Sequence, residues 1–303
     1  MTAVDTRVNR LNDVSARQLR EPEVEFDWSA LSRGQLIGDE LLSTAGLDLD
    51  LNNQQKAKLS REEVASMLAV GIRFEAVLDA AFSLQLAFAR ELDDPRHVYM
   101  LHEIGEETRH QRAFLRLREQ IAPTARNPFD DGRVRFFINF MIRILVRSPA
   151  LFGVMVLAGE EIPDLLQKLA AEHPDTDPLL RAVNKYHRAE EARHLAFARM
   201  VLPEHWARAG RIERTRVRHV APRQIKMLFA TMVHPGVYRT VGLPGFTTWR
   251  AVQKTPERLA LRYAATRPIL ETLIDVGAVR RGRIPKGWRE LCGVDRKGAA
   301  LNP

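Results

Sequence analysis

One cysteine, Cys292, is all that 303 residues contain, which excludes a disulfide framework and any zinc site built on thiolates. No apolar run is long and uninterrupted enough to cross a bilayer. The most apolar tract, residues 136–158, carries Arg143, Arg147 and Pro149 and so reads as buried helix. The opening residues, MTAVDTRVNRLNDVSARQ, lack the basic-then-apolar order of a secretory signal. A cytoplasmic protein without an integral membrane segment is expected. Aromatic residues make up only 7% of the chain, and few of them interleave the Arg-rich runs RAGRIERTRVRHVAPRQIK and VRRGRIPKGWRE. Those runs match no DNA- or RNA-binding motif. The net charge of +8 therefore reads as a solvated basic surface, not as a nucleic-acid footprint. Contact of the tail with anionic lipid is the lesser alternative. Stretches alternating with a period of two are missing as well, which leaves an all-α fold.

What the chain does have is Glu-x-x-His, twice: Glu107 and His110 in EETRH, Glu191 and His194 in EEARH. Each pair sets a carboxylate and an imidazole one helical turn apart on one face. With 22 glutamates and 9 histidines, chance would place fewer than one such pair in the chain. A further glutamate precedes each pair by about the same interval, Glu75 before Glu107 and Glu160 before Glu191. Glu…Glu-x-x-His, repeated, is the ligand pattern of a ferritin-like four-helix bundle that holds two iron or manganese ions.

The helical punctuation agrees. Val64, Leu68, Gly71, Ile72, Glu75, Asp79, Phe82 and Leu86 fall on one stripe of a helix beginning at Arg61. Asp93-Asp94-Pro95 ends it and opens a second helix, which carries Met100, Glu103, Glu107, His110, Phe114 and Leu117 inward and stops before Ala122-Pro123. A third stretch begins near Arg133 and is interrupted at Ser148-Pro149. The next helix runs to Ala171, and a further one from Pro178 carries His187, Glu191 and His194 and is expected to end before Pro203. Residues 1–60 show no sustained period and read as an extended or short-helical lead-in. Residues 61–205 form the metal-binding bundle, and residues 206–303 form accessory helices and a basic tail, all within a single domain. HPGVYRTVGLPGFTTW reads as loop, followed by one more helix over about residues 257–276.

Electrostatics favour a metal at the convergence. Four buried carboxylates without a cation would force most of one another to protonate, whereas two divalent ions neutralise four carboxylates. An oxygen and imidazole set without sulfur suits iron, and equally manganese or a mixed Mn/Fe pair. Two points stay open on periodicity alone. His187, one turn before Glu191, is either a further ligand or a group that orients one. Glu161 competes with Glu160, because Pro163 disturbs the helix on which both lie. Asp79 is the runner-up to Glu75. Phe82, Phe114, Phe140, Met141, Phe152 and Met155 are candidates for an apolar pocket beside the metals, although they also read as ordinary core.

The order Glu75, Glu107-Thr-Arg-His110, Glu160, His187, Glu191-Ala-Arg-His194 resembles the p-aminobenzoate N-oxygenase family of non-haem diiron enzymes, over about residues 60–205. The resemblance implies His187 as a seventh ligand and selects Glu160 over Glu161 by spacing. It also implies an oxygenase that uses two Fe ions, O2, a small organic substrate and electrons from a reductase or small reductant, working as a homodimer. Arylamine N-oxygenation is the best-known family reaction. The competing expectation is a ferritin-like metal-handling protein without an organic substrate. A ribonucleotide reductase-like tyrosyl radical is excluded at its usual place, because the residue four positions after His110 is Phe114.

Overall fold

The structure, a computed structural model, describes residues 3–89 and 91–302, apart from the side chains of residues 3, 133–135, 137, 138 and 141. Among the described residues there are thirteen α-helices and no strand beyond one isolated bridge, Val294 to Ala300. They are α1 (Ala3–Arg17), α2 (Pro22–Glu25), α3 (Asn53–Ala87), α4 (Pro95–Ile121), α5 (Gly132–Val146), α6 (Pro149–Glu172) and α7 (Pro178–Arg208). After these come α8 (Arg211–His219), α9 (Ala221–Thr231), α10 (Pro235–Arg239), α11 (Gly245–Val252), α12 (Pro256–Asp275) and α13 (Lys286–Cys292). None of the described helices is long and apolar enough to cross a membrane.

Helices α3, α4, α6 and α7 form the bundle, as two tightly packed antiparallel pairs, α3 with α4 and α6 with α7. Local chemistry sets their ends. Asn52 and Gln55 form a reciprocal capping box at α3. Asp94 accepts from the Arg96 amide and Asp177 from those of Leu179 and Leu180, with Pro at the first position of both helices. The first turn of α6 is capped from a distance, by Glu213 of α8 accepting from the amides of Ala150 and Leu151 at 2.7 and 3.2 Å. Ala122 ends α4 in the left-handed region at φ 49°, and Glu62 fastens the outgoing chain by accepting from the Thr124 and Ala125 amides.

The apolar core falls into two clusters, one at each end of the bundle. Leu59, Leu68, Phe114, Leu117, Leu180 and Val183 belong to one, and Phe82, Tyr99, Leu157, Leu202 and Trp206 to the other. Along α4 and α7, and at Glu75 of α3, buried charged residues lie between the two, so a polar layer is enclosed by apolar packing above and below.

Three expectations need correction. The first 60 residues contain a full helix, α1, with a stripe of only Val4, Val8 and Leu11 that packs against the bundle, too narrow to stand out by period. Helix α7 does not stop at Pro203 but runs five residues further. Burial of Leu202 and Trp206 in the core outweighs the roughly 3 kcal/mol cost of an internal proline. The Gly- and Pro-rich segment after Val233 holds two short helices, α10 and α11. Val237 and Tyr238 are buried, and Gly236 lies so close to the Arg126 carbonyl that a Cβ there would sit 1.9 Å from its oxygen. The last helix before the tail, α12, lies where the pattern puts it and packs on α6.

Candidate metal centre

Four helices deliver the polar layer: Glu75 from α3, Glu107 and His110 from α4, Glu160 from α6, and His187, Glu191 and His194 from α7. All seven are buried. His110 Nδ1 lies 3.2 Å from Glu107 and 3.3 Å from Glu191; His194 Nδ1 lies 3.2 Å from Glu107 and 3.1 Å from Glu191. The two glutamates thus each reach both imidazoles. His187 Nε2 lies 3.3 Å from Glu75 and 3.2 Å from Glu191. Glu160 is hydrogen-bonded to Glu191. Its rival Glu161 turns outward and pairs with Arg199, and Asp79 accepts a hydrogen bond from Gln111 at 2.7 Å.

Each imidazole uses its other nitrogen on a fixed acceptor. His110 Nε2 is 2.9 Å from Glu190, His194 Nε2 is 2.8 Å from Glu106, and His187 Nδ1 is 2.8 Å from Gln167. Arg109 and Arg193 complete the pattern by donating to Glu190 and Glu106 across the bundle. The two motifs therefore clasp each other: the first glutamate of each EExRH holds the histidine of the other, and the arginine of that other motif holds this glutamate. Such outer carboxylates fix the ring orientation and tautomer of a metal-binding histidine. Sequence reasoning passed over Glu106, Glu190, Arg109 and Arg193, although the repeated EExRH carried the signal.

Burial and mutual charge set the protonation pattern of the layer. Burial, reinforced by Glu107, raises Glu75 well above the carboxylate range, and burial with Glu191 does the same to Glu160. Burial also opposes ionisation of Glu107 and Glu191, but the surrounding histidines outweigh it and hold both low. His110 and His194 are raised against their burial by the carboxylates around them. His187 is pushed down to about 3, by burial and then by the charge of His110. One oxygen on each of Glu75, Glu107, Glu160 and Glu191 is buried and accepts no hydrogen bond. Glu75, His110 and His187 offer ligand atoms within 4.8 Å of one another, and so do Glu107, His110 and Glu191. Orphaned acceptors facing imidazole nitrogens fit a cation-binding centre.

Glu103, a residue of the inner stripe of α4, belongs beside this layer. It forms a third such group with Glu107 and His194. Both its oxygens are buried without a hydrogen bond, and burial pushes it up to about 8.

On the flank formed by Glu75, Glu160 and His187 lies a cavity of about 90 Å³ between α3, α6 and α7, with α9 contributing to its wall. Phe114 lines it. Phe82 and Phe152 pack edge-on in the core, 6.1 Å between ring centres, and Met155 packs against the same cluster. Phe140 is no pocket residue at all, being 55% exposed; α5 is the crossover between the two helix pairs, and this ring faces outward. The side chain of Met141 lies outside the described residues.

A family model described as "P-aminobenzoate N-oxygenase AurF" matches residues 2–277. Relatives include uncharacterized proteins of Mycobacterium tuberculosis (strain ATCC 25618 / H37Rv) and Mycobacterium bovis (strain ATCC BAA-935 / AF2122/97). Each is 28% identical over 234 residues, covering 74% of this chain and 68% of the relative.

Proposed function

Because the chain belongs to the p-aminobenzoate N-oxygenase family, we propose that it is a non-haem diiron oxygenase that uses O2 to oxygenate a small organic molecule, the arylamine nitrogen being the family's reacting group. The metal ligands in this reading are Glu75, Glu107, His110, Glu160, His187, Glu191 and His194. When bound, paired iron ions supply O2 activation and a two-electron oxidation. Iron is the metal of this reading; manganese accepts the same donors. Electrons come from a separate reductase or a small reductant.

The protein's own part follows from its geometry. Glu106 and Glu190 hold His194 and His110 by Nε2, which leaves Nδ1 of both rings aimed into the layer. Gln167 does the converse for His187 and leaves Nε2 inward. Glu107 and Glu191 face both halves of the site, so they tie the two halves together. The apolar clusters above and below keep bulk water from the layer. The cavity seats a substrate against Glu75, Glu160 and His187, the open edge of the centre.

The observation that carries this reading is four buried carboxylates with orphaned oxygens, facing three imidazoles, beside an apolar cavity. Anaerobic loading with Fe(II), then mixing with O2, tests it. About two irons per chain and a transient visible absorption are expected. A chain that retains no iron, or that takes up iron only as a growing mineral, refutes the proposal.

A further inference from the structure

The walls of the cavity differ in one respect from what an anionic aromatic substrate needs. No lysine or arginine is among the residues that line it. Its walls are built from Val64, Met67, Leu68, Leu166, Leu180 and Met232, with the rings of Phe74 and Phe114. The cations nearest in sequence are committed elsewhere. Arg73 is paired with Asp130 on the surface, Arg188 with Asp164, and Arg181 donates to the carbonyls of His173, Pro174 and Thr176. Lys168 and Lys185 are exposed.

Polar groups are few. Glu75, Glu160 and His187 form the edge shared with the polar layer, and Gln167 already holds His187. Asn184 is left. It lies on α7 one turn before His187, is buried, and lines the cavity. Its amide can donate and accept but carries no charge. The centre itself offers no surplus positive charge, since four carboxylates neutralise two divalent ions.

Together with the oxygenase reading, on which it rests only for calling the bound molecule a substrate, the lining leads to a definite substrate class. We infer that the cavity selects an uncharged, largely apolar small molecule with one hydrogen-bonding group for Asn184, and rejects a carboxylate-bearing arylamine such as p-aminobenzoate. A carboxylate buried there would lose its hydration with no cation or cluster of donors to replace it. A penalty of that kind weakens binding by roughly 100-fold or more relative to the same ring without the carboxylate. The two methionines in the wall let the space adjust to shape, but they cannot supply charge.

Calorimetric titration of the full chain loaded with redox-inert Zn(II), near pH 8, compares aniline with p-aminobenzoate. Aniline should bind more tightly than p-aminobenzoate by about 100-fold or more. Asn184→Leu should weaken aniline severalfold while leaving toluene unchanged. Leu166→Arg, which puts a cation on the wall, should recover p-aminobenzoate. Equal or tighter binding of p-aminobenzoate by the unaltered chain overturns the inference, as does failure of aniline to bind, and neither result depends on whether the variants fold. The two readings fail separately. Tight neutral binding with no O2-dependent product from the iron-loaded chain removes the oxygenase and leaves the selectivity. O2-dependent oxidation of p-aminobenzoate keeps the oxygenase and removes the selectivity.

Discussion

Loading the metal-free protein with two divalent ions at about pH 6 should release about four protons. Before loading, Glu75 and Glu160 are raised and hold protons, as do His110 and His194, while Glu107 and Glu191 are ionised and His187 is neutral. Two cationic imidazoles against two carboxylates leave the layer neutral. Ligation needs all four carboxylates ionised and all three imidazoles neutral, so four protons leave as four positive charges enter. Falling pH therefore opposes loading. Each unit of pH lost in this range should weaken loading, because protons and metal compete for the same groups. Titration calorimetry in two buffers of unlike ionisation enthalpy counts the protons, and a pH series of the apparent affinity checks the slope. Release of one proton or fewer, or an affinity flat between about pH 5 and 7, would refute this charge pattern.

Other outcomes follow from named contacts. Glu106→Gln and Glu190→Gln should each lower metal affinity by about 10- to 100-fold and by similar factors, because each holds one histidine in the same way; equilibrium competition with a chelator reads this, and unequal effects would break the cross-bundle symmetry. Glu63 is buried against Ser43 and raised from 4.5 to about 7 by burial, so its stabilising contribution is present below its unfolded value and lost as pH rises through about 7, by about 3 kcal/mol. Glu63→Gln, whose amide can accept from the Ser43 amide and donate to its hydroxyl, should flatten that part of the pH dependence in urea unfolding and make the protein more stable near pH 8. Gly159→Ala would set a Cβ 1.8 Å from the Phe74 ring, driving the ring into the cavity at a cost of about 1–3 kcal/mol; aniline binding should fall more than tenfold, and unchanged binding would mean that Phe74 moves elsewhere.

The repeated Glu-x-x-His pattern was legible because it is local. Glu107 with His110 and Glu191 with His194 share a helix face by spacing alone, and no packing is needed to see it. The helices of the bundle were legible for the same reason, since their apolar stripes, proline starts and aspartate caps act within a few residues. Glu160 against Glu161 was not, because adjacent residues differ by 100° around a helix and Pro163 spoils the phase; the family spacing favoured Glu160, and the structure turns Glu161 outward to Arg199. Glu103 was hidden for a different reason. Nothing in a single carboxylate on an inner stripe tells whether a partner waits across the bundle.

Sequence by itself therefore determined an all-helical bundle and the residue types that converge within it, since periodicity and capping are properties of neighbours along the chain. Only the tertiary structure decided that the two EExRH motifs clasp each other, that α7 runs on through Pro203, and that a cavity without cations opens on the Glu75 and Glu160 flank. Those outcomes depend on which side chains of different helices come within a few ångströms. Burial then settles both the charge each group carries and the kind of molecule its surroundings can receive.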